Sequence, residues 1–325
     1  MDPVLVVGAG LSGAACAREL AAAGLPVCLL DRGRHVGGRM TSRQIDGRPV
    51  DLGASYFTVS DDQPDFAALV EDWRAAGLAH PWTDTFTVLE AGRSPEQKSG
   101  PVRWGTRGGT RSLVEHLVAD LDVARADVDA VTRTDDGRLT VDDAPASAVV
   151  LAMPDPQAAR LLGPGLEDVA GRLDREYDPV IAVAAGFARR TWDRTSPDGR
   201  FEGAFVNGDE AVDWVADDGR RRGDDAAVLV AHSRPDVARW HLEHPESAEG
   251  EVLSSLHRLL AVEPPTSTHV HRWTHAKPTG EREERYLLGD DLLGVCGDGW
   301  GPRSKVETAW RSGRDLGRAL AERLS

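Results

Sequence analysis

The stretch that decides the fold reads Val4-Leu5-Val6-Val7-Gly8-Ala9-Gly10-Leu11-Ser12-Gly13. The four apolar residues predict a short buried strand, and the glycines fall where that strand must turn into a helix. The helix is expected from about Leu11 to Ala23, with Gly24 just past its end. A G-x-G-x-x-G string alone says little. Here it follows a strand, opens a helix and is answered by a second apolar run, Val27 to Leu30, ending in Asp31. Gly8 permits the tight turn, Gly10 lets backbone approach a pyrophosphate, and Gly13 lets the helix lie close to the strand. The helix N-terminus then stabilises the anion, while Asp31 can accept hydrogen bonds from ribose hydroxyls. The reading is a dinucleotide site on a Rossmann-type turn.

The residues after Asp31 narrow the ligand. Arg32 to Thr41, RGRHVGGRMT, resembles the second signature of glutathione-reductase-like flavoproteins of the amine oxidase type. The resemblance implies non-covalent FAD. Gly37 and Gly38 would bring backbone close to the pyrophosphate, Arg39 would neutralise it, and Ser12, Arg32 and Met40 join the expected contacts. Val50-Asp51-Leu52-Gly53-Ala54-Ser55-Tyr56-Phe57 resembles the segment beside the isoalloxazine, which nominates Ser55, Tyr56 and Phe57. Val128 stands near the adenine by the same analogy, and a plain core valine fits equally well. At the far end, Gly294-Val295-Cys296-Gly297-Asp298 reads as an apolar strand ending in Gly-Asp, and a helix follows. Its start is expected at a capping box of Ser304 and Glu307. In the family, the Gly-Asp carboxylate holds the ribityl chain or a phosphate. The helix N-terminus, here Val306, faces the flavin pyrimidine. Ala54-Ser55 replaces the usual Ala-Gln, and Gly299-Trp300 follows the Gly-Asp, so contacts near the ring depart from the pattern.

Further motifs resemble bacterial renalase-like proteins: Arg103-Trp104-Gly105, Gly108-Gly109 before Ser112-x-x-Glu115, Ala231-His232-Ser233, Trp240 and His271-Arg272-Trp273. That resemblance implies an oxidase that converts 2- and 6-dihydronicotinamide isomers of NAD(P)H to NAD(P)+ and passes the electrons to O2 as peroxide. Such a substrate regains aromaticity on losing hydride, so positioning suffices without a strong base. His271 and Trp273 are the catalytic candidates, with Tyr56 as the third. The alternatives are an amine oxidase or desaturase-type dehydrogenase, in which Lys277 would hold a water, and a non-catalytic binding protein like the GDP dissociation inhibitors. In His269-Val270-His271-Arg272-Trp273-Thr274-His275 the odd positions share one strand face. A structural face, a wall of the substrate pocket and a metal site all fit that spacing, although no fourth metal ligand is evident.

Two nucleotide signatures at opposite ends of the chain imply a discontinuous FAD domain. The fold class is α/β. A Rossmann-type FAD-binding domain is expected over 1–62, 98–154 and 276–325. A smaller α+β substrate domain with a mixed or antiparallel sheet is expected over 63–97 and 155–275. At 325 residues and 41% hydrophobic content two domains can be filled, and the net charge of −15 argues against nucleic acid or an anionic membrane as partner. The expected partners are O2 and a small molecule, either a dihydronicotinamide dinucleotide or an amine. The three cysteines, Cys16, Cys28 and Cys296, make no disulfide framework and read as small buried hydrophobes. No leader precedes the first strand, and no run approaches the ~18 apolar residues of a membrane helix, so a cytoplasmic protein is expected. Phe66, Leu69, Val70 and Trp73 form a helical core stripe. The Arg- and Asp-rich run from Asp217 to Asp225 reads as a solvated loop.

Overall fold

The structure is a computed structural model that describes residues 2–90 and 92–325. The chain divides into two compact units, residues 1–40, 111–177 and 277–325, and residues 41–110 and 178–276.

In the first unit the strand Val4–Val7 lies centrally in a six-stranded sheet. It pairs in parallel with Val27–Asp31 on one side and Ala148–Leu151 on the other. Asp122–Arg125 and Leu293–Val295 extend the sheet in parallel, and Leu287–Leu288 closes one edge antiparallel. Period-two alternation sorts the side chains. Leu5, Val7, Val149, Leu151, Leu293 and Val295 pack into one core with Val131, Leu139 and Val141 of a three-stranded antiparallel sheet. Ala158, Leu166, Val169 and Leu173 join that core. This packing is why residues 155–177 cluster with the nucleotide unit and not with the substrate domain expected from sequence.

The helix Leu11–Ala22 ends as expected, with Gly24 at φ +78° donating to Ala21 O. It is crossed by the helix Val306–Leu324 at backbone contact distance. A Cβ on Gly313 would stand 1.9 Å from Ser12 O, and one on Gly317 would stand 2.7 Å from Cys16 O. Glycine is required at both places because no side chain fits between the two backbones.

The second unit is of nearly equal length. Its seven-stranded sheet runs in the order Ser267–Pro278, Tyr177–Gly186, Val228–Ser233, Val212–Asp217, Gly203–Asn207, Ala79–Glu90 and Glu96–Thr106. Gly203–Asn207 and Ala79–Glu90 are parallel, and the other described pairings are antiparallel. Ile181, Val183 and Ala185 face the amphipathic helix Glu249–Leu260 through Val252, Leu256 and Leu260. The alternate residues Ala182 and Ala184 face Val50 and Leu52 on the other side of the sheet. The helix Pro64–Ala75 buries Phe66, Val70 and Trp73 of the expected stripe.

The run from Asp217 to Asp225 corrects the solvated-loop expectation. Asp218–Arg222 is a short helix whose Asp218, Arg221 and Arg222 are all buried. Charges stay inside only when paired, and these are. Arg222 donates to Asp51 and Asp218 at 3.1 Å each, Arg221 pairs with Asp218, and Arg48 reaches Asp218 at 2.8 Å. Burial alone would raise the Asp218 carboxyl, but Arg221 and Arg222 hold it at about 2. Asp51 also accepts from Ser42 Oγ and from the backbone of Thr110. This lattice ties residues 41–62 to the second unit, although the sequence placed them with the nucleotide domain.

The glycine crossing predicts a sharp positional contrast. Gly313→Val should destabilise by about 2 kcal/mol or more through overpacking. Gly250→Ala, in an exposed helical position with nothing within 4 Å of the added Cβ, should be neutral or stabilise by about 0.5–1 kcal/mol. Thermal unfolding of the two variants checks this, and equal melting temperatures would refute the close crossing.

Candidate functional site

The first unit builds a cradle from missing side chains. Gly8 sits at φ +109°, and a Cβ there would lie 2.6 Å from Ala152 O. A Cβ on Gly13 would lie 1.9 Å from Gly8 O, so strand, turn and helix close on one another. Gly10 and Gly38 face each other: a Cβ on Gly38 would be 3.3 Å from Gly10 Cα, and Gly37 N donates to Ala9 O at 2.9 Å. The helix Leu11–Ala22 has neither a side-chain cap nor an acid in its first turn. Its leading amides and positive end are therefore presented across a glycine surface, which fits an anionic diphosphate.

Asp31 does more than the sequence assigned to it. Oδ2 accepts from Ala9 N and Oδ1 from Gly33 N, both at 2.7 Å, so the carboxylate also braces the glycine turn. Arg32 is exposed beside it. Gly38–Met40 forms a single 3-10 turn in which Met40 is buried and Arg39 is partly open. From the other end of the chain, 259 residues on, Asp298 accepts from both terminal nitrogens of Arg39, at 3.1 and 2.5 Å. The two motifs read separately in the sequence thus form one charged pair.

The capping box expected at Ser304 and Glu307 is not formed. Lys305 occupies the cap position without a side-chain cap bond, and Ser304 Oγ donates to Asp298 at 2.5 Å. Asp298 already draws Ser304 away, so the hydroxyl serves the carboxylate instead of the helix. Val306 begins the helix as expected, and Gly297 N donates to Ser312 Oγ at 3.0 Å. Val128 is buried in the sheet core, and Ser12 is buried at the helix crossing.

Ser55, Tyr56, Phe57, His271 and Trp273 belong to the second unit. The segment 51–57 is held by its backbone at successive points. Leu52 O accepts from Trp273 Nε1 at 2.9 Å and lies 3.2 Å from His232 Nε2. Ser55 O accepts from buried Arg221 at 2.8 Å, and Ser55 Oγ from Trp214 Nε1 at 3.1 Å. Asp51, Arg221 and Trp214 were missed by sequence reasoning. No local pattern marks them, because their partners come from distant strands.

Tyr56 sits among Trp82, Phe86 and Trp214 with ring centroids 5.3–6.3 Å away. Burial raises its pKa against the opposing charge of Arg103, so it stays a neutral phenol. Phe57 differs from expectation. Its ring is buried and stacks on Trp104 at 6.2 Å, with edge contacts to Phe66 and Trp73. The side chain serves the core of this unit.

The alternation on Ser267–Pro278 behaves as the period-two reading requires. His271 and Trp273 share a face, edge to face at 4.4 Å. Burial and then the charge of Arg43 hold the His271 pKa at about 4, so its imidazole is neutral at pH 7. Among the described residues no cluster of three or more His, Cys, Asp or Glu could hold a metal ion, and no helix is long and apolar enough to cross a membrane.

Comparison with known proteins agrees with this geometry. Residues 6–73 match the NAD(P)-binding Rossmann-like domain, and residues 88–318 match the flavin containing amine oxidoreductase family. Renalase of Mus musculus is 24% identical over 314 residues, covering 88% of each chain. Putrescine oxidase of Kocuria rosea is 42% identical over 69 residues, covering 21% of this chain and 14% of that one. Among solved structures, cyclohexylamine oxidase from Brevibacterium oxydans IH-35A superposes with a TM-score of 0.76 at 16% identity, covering 99% of both chains. The chain is a renalase-like member of the flavin containing amine oxidoreductase family, and an FAD-dependent oxidoreductase.

Proposed function

We propose that this protein oxidises 2- and 6-dihydronicotinamide isomers of NAD(P)H to NAD(P)+ in the cytoplasm, consuming O2 and a proton and releasing peroxide. The observation that carries the reading is the sequence match to renalase along 88% of both chains, whereas the sequence match to the Kocuria rosea putrescine oxidase covers 21% of this one. Non-covalent FAD supplies the two-electron acceptor. Gly8, Gly10, Gly13 and Gly38 would take the diphosphate on backbone, with Arg39 and Asp298 as the charged pair beside it. Asp31 would take the ribose.

The residues proposed to orient substrate are Trp273, His271 and Tyr56. Trp273 offers a flat ring fixed through Leu52 O, and the neutral His271 offers a hydrogen bond to a carboxamide. Tyr56, also neutral, can donate without drawing a proton from the reacting carbon. The substrate regains aromaticity on losing hydride, so orientation is the main demand placed on the protein.

Removing the carboxylate in Asp298→Ala should weaken FAD by about 1.5–3 kcal/mol, the worth of a hydrogen bond to a charged group. Titration of the flavin-free protein with FAD measures it, and unchanged affinity with a lowered melting temperature would assign Asp298 to the fold alone.

Mixed anaerobically with 2- or 6-dihydroNAD(P), the flavin should bleach much faster than with 4-dihydro NADH or putrescine. Trp273→Ala should slow bleaching about tenfold or more while FAD stays bound. Fast reduction by a polyamine that is lost in Lys277→Met would overturn this reading in favour of an amine oxidase.

A third expectation concerns pH. Because His271 is held near 4, its neutral form persists as pH falls through 6.5, where an unperturbed histidine gains its proton. The bleaching rate should therefore stay level from neutral pH to about 5 and decline only below it. A decline centred near 6.5 that disappears in His271→Gln would contradict the buried neutral imidazole.

A further inference from the structure

The first unit holds another arginine that the cofactor motifs do not include. Arg175 is 7% exposed, and among the described residues no carboxylate lies within ion-pair distance of its guanidinium. Four backbone carbonyls solvate it instead. Nε donates to Thr279 O at 3.0 Å and Nη2 to Gly280 O at 2.7 Å. Nη1 donates to Gly299 O at 2.7 Å and to Gly301 O at 3.2 Å. A cation removed from water is tolerable only while such acceptors stay in place, and the planar fork fixes where they must be.

Two residues on, Tyr177 braces the same loop. A Cβ on Gly299 would lie 2.1 Å from the Tyr177 hydroxyl, so loop and phenol are in contact there. The Arg39 guanidinium carbon lies 5.8 Å from the centre of the same ring. Burial and the Asp298 carboxylate push the phenol pKa well up, which keeps the ring neutral beside that carboxylate.

We infer that Arg175 and Tyr177 are positioning residues for FAD: Arg175 locks the loop that follows Asp298, and Tyr177 sets both that loop and Arg39. The Arg39–Asp298 pair then stands preformed, and FAD binds without ordering it. Neither residue has to touch the cofactor. The inference rests on FAD binding by this unit and is independent of the substrate proposed above.

The test is the rate at which folded holoprotein releases FAD at 25 °C, read as the recovery of free flavin fluorescence after dilution, alongside tryptophan-monitored unfolding. Arg175→Met keeps the apolar stem and removes every donor; Arg175→Lys keeps the charge without the fork. Release should be at least about tenfold faster in Arg175→Met, with Arg175→Lys restoring only part of the loss. Release within about twofold of the parent protein, whatever the melting temperature, would overturn the inference. Should Arg175→Met fail to fold, a second pair decides. Gly299→Ala drives a methyl into the Tyr177 hydroxyl and should speed release about tenfold. Adding Tyr177→Phe removes the clashing oxygen and should restore most of the retention. Unchanged release in Gly299→Ala, or a double variant no better than the single one, overturns the inference.

Discussion

The nucleotide unit depends on backbone reaching backbone where side chains have been left out. Gly13 against Gly8, Gly313 against Ser12 and Gly317 against Cys16 bring the first strand, the first helix and the late helix Val306–Leu324 to contact distance. Every charged feature of the cradle follows from that approach. Arg39 and Asp298 meet only because the strand Leu293–Val295 and its helix are seated beside the glycine turn. A β-carbon at Gly313 would have to move the helix bodily, since its neighbour is rigid main chain and not the end of a flexible side chain.

The second unit uses the opposite device. Asp51, Asp218, Arg221 and Arg222 are buried charges, and an uncompensated member would cost about 3–5 kcal/mol. In return the guanidinium groups also fix backbone carbonyls, Arg221 at Ser55 O and Arg222 at Thr106 O and Arg107 O. Arg175 applies the same chemistry in the first unit. The chain has only three lysines against its many arginines. An ammonium group could not replace the planar fork at any of these points.

What the sequence made legible is local, and what it hid is assembled across distance. The strand, turn and helix at Val4 to Ala22, the acid at 31 and the Gly-Asp at 297–298 carry their reasons within a few residues. The alternation around His271 and Trp273 does too, because strand period alone places them on one face. Asp217 to Asp225 defeated the reading because a run of Asp and Arg looks solvated until its partners, Asp51 and the carbonyls of residues 55 and 106, are known. Ser304 defeated it likewise: its spacing to Glu307 satisfies a capping pattern, but Asp298 competes for the hydroxyl. Phe57 lies in a segment with a cofactor-facing resemblance, yet Trp104 and the helix Pro64–Ala75 claim its ring. The boundaries shifted for the same reason, since residues 41–62, 98–110 and 155–177 follow long-range partners.

The interleaving of the two units has a consequence for biosynthesis. On the ribosome, residues 41–110 and 178–276 emerge before the strand Leu293–Val295 and the helix Val306–Leu324. The second unit can therefore complete its sheet while the first still lacks a strand and the partner of Leu11–Ala22. Until that late helix arrives, the apolar flank of the first helix and the edge of Ala148–Leu151 are open to solvent and to other nascent chains. Cofactor capture thus has to wait until the strand Leu293–Val295 and the helix Val306–Leu324 have emerged and docked.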